Sequence, residues 1–401
     1  MHVPQATRLP GNEQIRTMKF ENTPLFVSCA TQTPSSAGQE KEFHNNNGNV
    51  GGRLFLTILV LLVNTARLQA QIYGITDLGA LPGNSASKAY GLNNLGQAVG
   101  ISDSGAAIAT LFSNGTATNM NTLNANVSVA TCISGSSQAA GYNIFYSNPN
   151  TTFRAFLYGN GAMTDIQSDS LFPSGTLAHG INSSGTVVGQ GWVNSSSFHA
   201  FMYARGTMVD LGTFPGGIQA AASAINDVGQ VVGTSDGAIA VSKKTTEHFS
   251  HAFLYANGKM VDLGIPSGAT YSQGTAINGN GQIVGSAGFS DGSHAVLYSN
   301  GVWTDLGKFP GSSTTEATGI NLSAQIVGTA LFPQQSYHPP IPGKHVPVIV
   351  RNGALVDLNT LISSNSGFTI TDAVGINDSG QILCNATNSS KATRAALLSP
   401  K

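Results

Sequence analysis

Short apolar stretches alternate with polar turns along most of the chain, and one arrangement of them recurs seven times after Ile75. The clearest copy opens with Ala224-Ile-Asn-Asp-Val-Gly-Gln-Val-Val-Gly233 and continues, after a polar stretch, with His251-Ala-Phe-Leu-Tyr-Ala-Asn-Gly-Lys-Met-Val-Asp-Leu-Gly264. We take the third residue of the Gly/Ala-Ile-Asn triplet as the anchor of each unit, which gives Asn93, Ser134, Asn182, Asn226, Asn278, Asn321 and Asn377. The anchors are spaced by about 47 residues on average, a period typical of repeat architectures.

Each unit contains four short stretches that have the composition of β-strands. The first ends at the triplet, and the others are Gln-Val-Val-Gly, His-Ala-Phe-Leu-Tyr and Met-Val-Asp-Leu-Gly. Asn-Gly between the third and fourth stretches favours a tight hairpin, because both turn positions need a positive φ. It occurs at Asn114-Gly115, Asn160-Gly161, Asn257-Gly258, Asn300-Gly301 and Asn352-Gly353, with Arg205-Gly206 in a sixth unit. Each unit is therefore predicted to be an antiparallel four-stranded meander.

Units of this length with four strands are typical of propeller blades. The seventh unit stops after its third stretch, Arg394-Ala-Ala-Leu-Leu398, and a spare fourth stretch, Ile75-Thr-Asp-Leu-Gly79, precedes the first unit. Pairing of these two stretches would leave no exposed sheet edge at the junction. The sequence therefore predicts an all-β fold, a seven-bladed β-propeller of four-stranded antiparallel blades closed by an N-terminal strand. A β-helix or an open solenoid is the alternative architecture.

The combination of Gly-Ile-Asn, Gly-Gln-Val-Val-Gly, His-Ala-Phe-Leu-Tyr and Asp-Leu-Gly resembles the HAF repeat of bacterial extracellular repeat proteins. The resemblance covers roughly residues 75–398. It implies a secreted bacterial protein, and it brings no catalytic residues that could be assigned to positions of this chain.

The composition narrows the classes of function. Only 9% of the residues are charged and the formal net charge is −1, so the chain has no basic stripe with which to meet nucleic-acid phosphates. The hydrophobic fraction of 41% is enough to build a core, which argues against a disordered protein. We expect no nucleic-acid partner, and we expect a monomer.

The apolar run Leu54–Val63 follows Arg53 and leads through polar residues to Ala70. Ten residues are too few to span a membrane, which needs about 20, but they suit a secretory signal cleaved after Ala70. A buried helix or strand is the alternative interpretation. The prediction thus divides the chain into a polar extension (1–52), a signal peptide (53–70) and a single propeller (71–401) that is extracellular or periplasmic. The extension is expected to be disordered, or to reflect a translation start placed too far upstream.

Residue types that bind metals do not form a pattern typical of a metal site. His199, His251 and His294 occupy one repeat position, but Ile108 and Val346 occupy the same position in other units and cannot coordinate a metal ion. We therefore expect a structural role for these histidines, and neither a metal nor a cofactor. Calcium bound by the aspartates of the Ser-Asp-Gly-like segments is the alternative, with the three candidates Asp103, Asp236 and Asp291.

Ligand contacts are expected where the units differ most in length. A meander sends the connections between strands two and three, and those between units, to one end of every sheet. Three insertions fall there, at Tyr142–Phe153, Thr234–Ser250 and Thr329–His345. Loops on a rigid scaffold commonly carry function. The candidate ligand-binding residues are Tyr146, Asp236, Glu247 and Tyr337, with a glycan or a cell-surface protein as the partner.

Two classes of function remain open at this point. The first is a secreted, non-catalytic propeller that recognises a glycan, a protein or a surface. The second is a hydrolase or lyase that acts on polysaccharide with acids of the same loops, and it requires two suitably spaced carboxylates. An acidic pair at the central mouth, surrounded by aromatic side chains, would favour the enzyme. The sequence contains no P-loop, Gly-x-Ser-x-Gly elbow, His-Glu-x-x-His or dinucleotide fingerprint, so we expect binding without catalysis.

Export can be tested directly on the mature protein. We expect mass spectrometry of the secreted protein to find Gln71 at its N-terminus. The segment after the apolar run ends in Leu-Gln-Ala70, and a small residue such as Ala70 is typical of a signal-peptide cleavage site. An intact chain recovered from the cytoplasm with Met1 at its start would contradict the prediction.

Overall fold

The apolar stretches of the repeat form short β-strands, as the sequence predicts. The computed structural model describes residues 72–147, 150–242, 245–333 and 343–401. The extension, the expected signal peptide and Tyr337 lie outside these ranges. No helix in the described part of the chain is long and apolar enough to cross a membrane.

The strands of the first three units follow β1, Tyr73–Asp77. Unit one contains β2 (Ala86–Leu92), β3 (Ala98–Asp103), β4 (Ala107–Ser113) and β5 (Thr116–Asn119). Unit two contains β6 (Val127–Ile133), β7 (Ala139–Ser147), β8 (Asn150–Gly159) and β9 (Ala162–Asp165). Unit three contains β10 (Thr176–Ile181), β11 (Val187–Trp192), β12 (Phe198–Ala204) and β13 (Thr207–Gly212).

The later units have the same order of strands. Unit four contains β14 (Ala220–Ile225), β15 (Val231–Ala240), β16 (Thr246–Ala256) and β17 (Lys259–Asp262). Unit five contains β18 (Ser272–Ile277), β19 (Ile283–Phe289), β20 (Gly292–Ser299) and β21 (Val302–Gly307). Unit six contains β22 (Thr314–Ile320), β23 (Ile326–Phe332), β24 (Lys344–Arg351), β25 (Ala354–Asp357) and a 3₁₀ turn (Leu358–Leu361). Unit seven contains β26 (Phe368–Ile376), β27 (Ile382–Asn388) and β28 (Thr393–Pro400).

Consecutive strands of a unit pair antiparallel, so the fold is all-β and is built from four-stranded antiparallel sheets. Units five and six share one larger sheet only because a single parallel bridge, Ser293 to Thr314, joins β20 to β22. The expected pairing of the spare N-terminal strand is confirmed. In the described chain β1 lies antiparallel to β28, with Ile75 opposite Leu398, and supplies the fourth strand of unit seven.

The hairpin turns between the third and fourth strands have the predicted backbone. At Asn257-Gly258 the φ angles are 52° and 76°, and at Arg205-Gly206 they are 50° and 81°. All five Asn-Gly turns have a positive φ at both residues. The local sequence therefore determines the turn between the third and fourth strands in units one to six.

The anchor asparagine explains the spacing of the motif that follows it. The Asn278 Oδ1 accepts hydrogen bonds from the backbone N–H groups of Asn280 and Gln282, both at 3.0 Å. Its Nδ2 donates to Gln282 Oε1 at 2.9 Å and to the backbone oxygen of Asn321, the next anchor, also at 2.9 Å. One side chain therefore caps its own turn and also joins two units.

The same link recurs at every anchor that is an asparagine. From donor to acceptor, the Nδ2-to-carbonyl bonds are Asn93 to Ser134 at 3.0 Å, Asn182 to Asn226 at 3.2 Å, Asn226 to Asn278 at 3.1 Å, Asn278 to Asn321 at 2.9 Å, Asn321 to Asn377 at 3.0 Å and Asn377 to Asn93 at 3.2 Å. Ser134 replaces asparagine in unit two, and its shorter side chain donates to Gln138 O within its own turn.

The glycine that ends the second stretch of the motif lies against the first strand. A Cβ on Gly233 would come within 2.0 Å of the backbone oxygen of Ala221, so this position excludes a side chain in a regular unit. Unit seven carries Cys384 there instead. Its first strand has a register shift between Ile370 and Asp372 that the other first strands lack, and the buried thiol is accommodated beside this irregular strand.

The hydrophobic core lies between neighbouring sheets. In one cluster, Val188 and Ala200 of unit three pack with Phe253 of unit four. In another, Phe112 of unit one packs with Leu383 of unit seven. Side chains of two neighbouring units therefore form one core cluster together, and units one and seven share such a cluster as well.

Candidate functional site

The two ends of the sheets are built differently. One end carries the Asn-Gly hairpins and the short turns of the anchors. The other end carries the connections between second and third strands and those between units, and we call it the long-loop face. Two of the insertions expected there are extended hairpins rather than loops, because β7 pairs with β8 out to Ser147 and Asn150, and β15 with β16 out to Ala240 and Thr246.

The structure places the expected ligand contacts on separate hairpins. Tyr146 lies near the end of β7 in unit two with 60% of its surface exposed. Asp236 and Glu247 lie in the β15–β16 hairpin of unit four, and Glu247 is exposed. Tyr337 belongs to residues 334–342, outside the described ranges. The described candidates thus form no single cluster.

Asp236 fastens the connection between β13 and β14, which leads from unit three into unit four. Its Oδ1 accepts hydrogen bonds from the backbone N–H groups of Ile218 at 2.8 Å and Gln219 at 2.7 Å. Glu247 pairs with Ile239, three residues along β15 from Asp236. Residues an odd number of positions apart on a strand point to opposite faces, so Asp236 and Glu247 do not share a face of the hairpin. Glu247 is therefore the freer of the two acids for an outside contact.

The repeat histidines bind the aspartate of the following strand. His199 Nδ1 lies 2.9 Å from Asp210 Oδ2, and the equivalent His251–Asp262 and His294–Asp305 contacts measure 3.0 Å. Arginine replaces histidine in the two remaining contacts of this kind, Arg154–Asp165 and Arg394–Asp77. The same aspartates accept a backbone N–H two residues on, as Asp210 does from Gly212 at 2.8 Å. These pairs fasten the fourth strand and its turn, as the structural interpretation predicts.

The aspartates that the sequence offered as calcium ligands are engaged locally. The Asp103 Oδ1 accepts the N–H of Gly105 at 2.7 Å. The Asp291 carboxylate contacts His294 Nε2 at 2.9 Å and Lys308 Nζ at 3.1 Å, and the hydrogen bond from Lys308 is the main reason that its pKa lies below the usual value. Within residues 72–147, 150–242, 245–333 and 343–401, His, Cys, Asp and Glu side chains form no group of three or more that could hold a metal ion.

The first strands of the units are unlike one another at one position, five residues before the anchor. Three consecutive units, two to four, carry Val129, Leu177 and Ala221 there. The remaining consecutive units carry Gln273, Glu316, Asp372 and Lys88, which we call the polar arc. The arc runs from unit five through unit seven to unit one, because β18 contacts β22, β22 contacts β26, and β26 contacts β2.

A contact between units six and seven fixes one member of the arc. His345 Nδ1, at the start of β24, lies 2.8 Å from Asp372 Oδ1 on β26. Thr371 Oγ1 donates to Asp372 Oδ2, also at 2.8 Å. Thr371 is the extra residue of the register shift between Ile370 and Asp372. A bulge of this kind can re-aim a side chain, and it occurs here directly beside Asp372.

The electrostatics of this contact stabilise its charged form. The hydrogen bond with Asp372 raises the pKa of His345 above its usual value, although burial and the charge of Lys88 oppose the rise. Burial by itself would raise the pKa of Asp372, but the hydrogen bonds from His345 and Thr371 and the charges of His345 and Lys88 outweigh it, so the pKa lies below its usual value. Lys88 is therefore electrostatically coupled to both partners.

Two tyrosines adjoin the arc. Tyr90 follows Lys88 on β2 after one intervening residue and is 37% exposed. Burial raises the pKa of Tyr90 to about 12, and the charges of Tyr142, Asp103 and Asp372 add to the rise. Burial also raises the pKa of Tyr142. Both phenols are therefore neutral hydrogen-bonding groups near neutral pH, and Tyr90 is within electrostatic reach of groups from units one, two and seven.

Glu316 is the least satisfied member of the arc. It is partly buried on β22, and within the described chain its carboxyl makes neither a hydrogen bond nor an ion pair. Burial alone raises its pKa, with no contribution from Asp372. The arc thus contains two carboxyl groups whose pKa values are displaced in opposite directions.

Sequence reasoning missed the central members of this group. Lys88 and Tyr90 belong to no motif of the repeat, and His345 appears in the sequence only as the last residue of the insertion Thr329–His345. One signal was present in the sequence. At the position five residues before the anchor, charged residues occur only in units six, seven and one. These units are consecutive when unit one is counted after unit seven.

Comparisons with known proteins give a fold likeness only. No family model and no curated protein matches the chain. The β-propeller domain of the Trilobed protease from Pyrococcus furiosus is 7% identical, with 79% of this chain and 94% of that chain covered and a TM-score of 0.48. Puromycin hydrolase is 10% identical, with 78% of this chain and 51% of that chain covered and a TM-score of 0.42.

The His345–Asp372 contact predicts a defined pH dependence. A histidine whose pKa is raised on folding contributes stability below its unfolded pKa of about 6.5, and an aspartate whose pKa is lowered contributes above about 3.9. We therefore expect His345→Gln to lower the free energy of unfolding most near pH 5, with the difference shrinking as the pH rises past the raised pKa of His345 or falls past the lowered pKa of Asp372. Denaturant titrations across this pH range measure the difference in the free energy of unfolding.

The matched control is His248→Gln, which removes an exposed histidine of β16. A pH-independent difference for His345→Gln would contradict the assignment.

Proposed function

We propose that the exported part of the chain is a seven-bladed β-propeller, closed by β1, that binds a glycan, a protein or a surface through the long-loop face without catalysing a reaction. The closed ring is supported by the chain of anchor bonds, which returns from Asn377 to Asn93. It is also supported by Asn385 of unit seven, whose Oδ1 accepts the N–H of Ala89 at 2.8 Å. Export is supported by the apolar run and its Ala70 exit.

The observation that carries the binding proposal is the contrast between the two ends of the sheets. The turn end repeats the same tight hairpins from unit to unit. The long-loop face carries hairpins of unequal length, and one of them exposes the aromatic side chain of Tyr146. An exposed aromatic side chain on a rigid strand suits a partner surface, because it loses little conformational entropy on binding.

A polysaccharide-acting hydrolase or lyase is the second candidate, and one observation favours it. Glu316 and Asp372 occupy equivalent positions in neighbouring units, and their pKa values are displaced in opposite directions. Environments that separate two carboxyl pKa values are typical of an acid and a base in catalysis. Against it, Asp372 does not influence the pKa of Glu316, whereas carboxylates at glycosidase spacing would interact. Binding without catalysis is therefore preferred.

The proposal is tested with two sets of variants of the full chain. A screen against immobilised glycans and cell envelopes first identifies a binder. We then expect Tyr146→Ala combined with Glu247→Ala to weaken that binding at least about tenfold, because interface energy concentrates in a few aromatic and charged side chains. The matched set is Leu95→Ala with Lys259→Ala, two exposed residues at the turn end. It should leave the affinity unchanged.

Two outcomes would contradict the proposal. Affinity lost only in the turn-end set would place the site at the opposite end of the sheets. Release of reducing ends or unsaturated products from a bound polysaccharide would replace binding with catalysis.

A further inference from the structure

The polar arc is not required by the fold. The position five residues before the anchor carries Val129, Leu177 and Ala221 in three units whose sheets have the same strand order as the others. Partly burying charged groups such as Glu316 and Asp372 costs free energy unless they are compensated. The repeat tolerates an apolar residue at this position in units two to four. The cost of partly burying a charged group therefore arises only among the consecutive units that carry the polar arc.

An irregularity in the backbone of β26 helps to hold Asp372, one member of the arc. All seven first strands have a register shift shortly before the anchor, but β26 alone has a second one, at Thr371. Thr371 and His345 together hold both oxygens of Asp372. A carboxylate fixed by two neighbours is pre-organised for a further hydrogen bond, as the acceptor groups of binding sites are.

Several polar groups of the arc and of its neighbour Tyr90 have no protein partner of their own. Within the described residues, the Lys88 ammonium, the Tyr90 hydroxyl and the Glu316 carboxyl make no hydrogen bond or ion pair. Glu316 is partly buried, and an unpaired carboxyl group there calls for an explanation, whereas Lys88 and Tyr90 are exposed and can offer their polar groups to a ligand in place of water. Lys88 and Glu316 are both the third residue of their strands, close to the end that leads to the long-loop face.

We propose that the polar arc, together with Tyr90 and Tyr142, binds an uncharged saccharide unit. Sugar hydroxyls both donate and accept, so they match an ammonium and a phenol as well as the carboxyl groups of Asp372 and Glu316. The charges of Lys88 and Asp372 balance each other, which disfavours a strongly anionic or cationic ligand. The exposed ring surface of Tyr90 can pack against the C–H face of a pyranose.

This inference rests on the proposed function, because it names the ligand class and places its binding near the long-loop face. The probes are cellohexaose, mannohexaose and xylohexaose as uncharged chains, with hexagalacturonate and hexaglucosamine as charged ones. Isothermal titration with the full chain measures binding. We expect at least one uncharged chain to bind with a Kd below about 1 mM, and both charged chains to bind more weakly.

Four variants locate the site. Lys88→Met and Tyr90→Phe each remove one polar group and keep most of the side chain, and we expect each to weaken binding of the uncharged chain about tenfold or more. Lys259→Met and Tyr255→Phe are the matched controls, since Lys259 is exposed at the turn end and Tyr255 lies in the third strand of unit four. Both should bind as the parent does. Melting temperatures confirm that every variant is folded.

The outcomes separate this inference from the proposed function. Sugar binding that survives Lys88→Met and Tyr90→Phe but is lost in Tyr146→Ala with Glu247→Ala overturns the arc as the site and leaves the long-loop face as the binding surface. Preference for either charged chain, or binding of a protein or surface with no uncharged sugar bound, likewise overturns the inference alone. Absence of any partner in the screen overturns both.

Discussion

The side-chain amide of the anchor asparagine is the interaction on which the other features of this fold depend. Its oxygen caps the turn between the first two strands of a unit, and its nitrogen reaches the carbonyl of the next anchor. The anchor side chains are buried, so breaking these bonds would leave backbone N–H and C=O groups without partners. The amide thereby helps to position each sheet against its neighbour, in addition to the apolar side chains that pack between them. The spacing of Asn, Gly and Gln in the motif follows from this one side chain.

A scaffold fixed in this way leaves some first-strand positions free to change. The residues of the motif that hold the units together recur, while the position five residues before the anchor ranges from Val129 and Leu177 to Lys88 and Asp372. Variation there does not disturb the anchor bonds. In four consecutive units this position carries a polar or charged residue, and a bulge at Thr371 lies directly beside Asp372. The residues that fix the fold and those of the polar arc are therefore different residues of the same strands.

The fold was predictable from the sequence because its determinants are local and repeated. The Asn-Gly hairpins, the four strands of each unit and the pairing of the spare strand with Arg394–Leu398 all follow from short motifs. The candidate site was harder to predict from the sequence. His345 and Asp372 are 27 residues apart and meet across two units, and the extra residue at Thr371 leaves no signature in the sequence. Exposure of Tyr146 and Glu247 could be anticipated from their hairpins, whereas the backbone bonds of Asp236 could not.

The central claim is that the anchor amide joins the units, and Asn278 tests it most directly. Denaturant unfolding should show that Asn278→Ala lowers the free energy of unfolding by about 1–3 kcal/mol, since buried backbone groups lose their partners. The control is Asn280→Ala, which removes an exposed side chain that also reaches the next unit, through Leu322 O at 3.2 Å, and it should cost much less. Asn278→Ser, which copies the anchor of unit two, should fall between them. Equal losses for Asn278→Ala and Asn280→Ala would contradict the account.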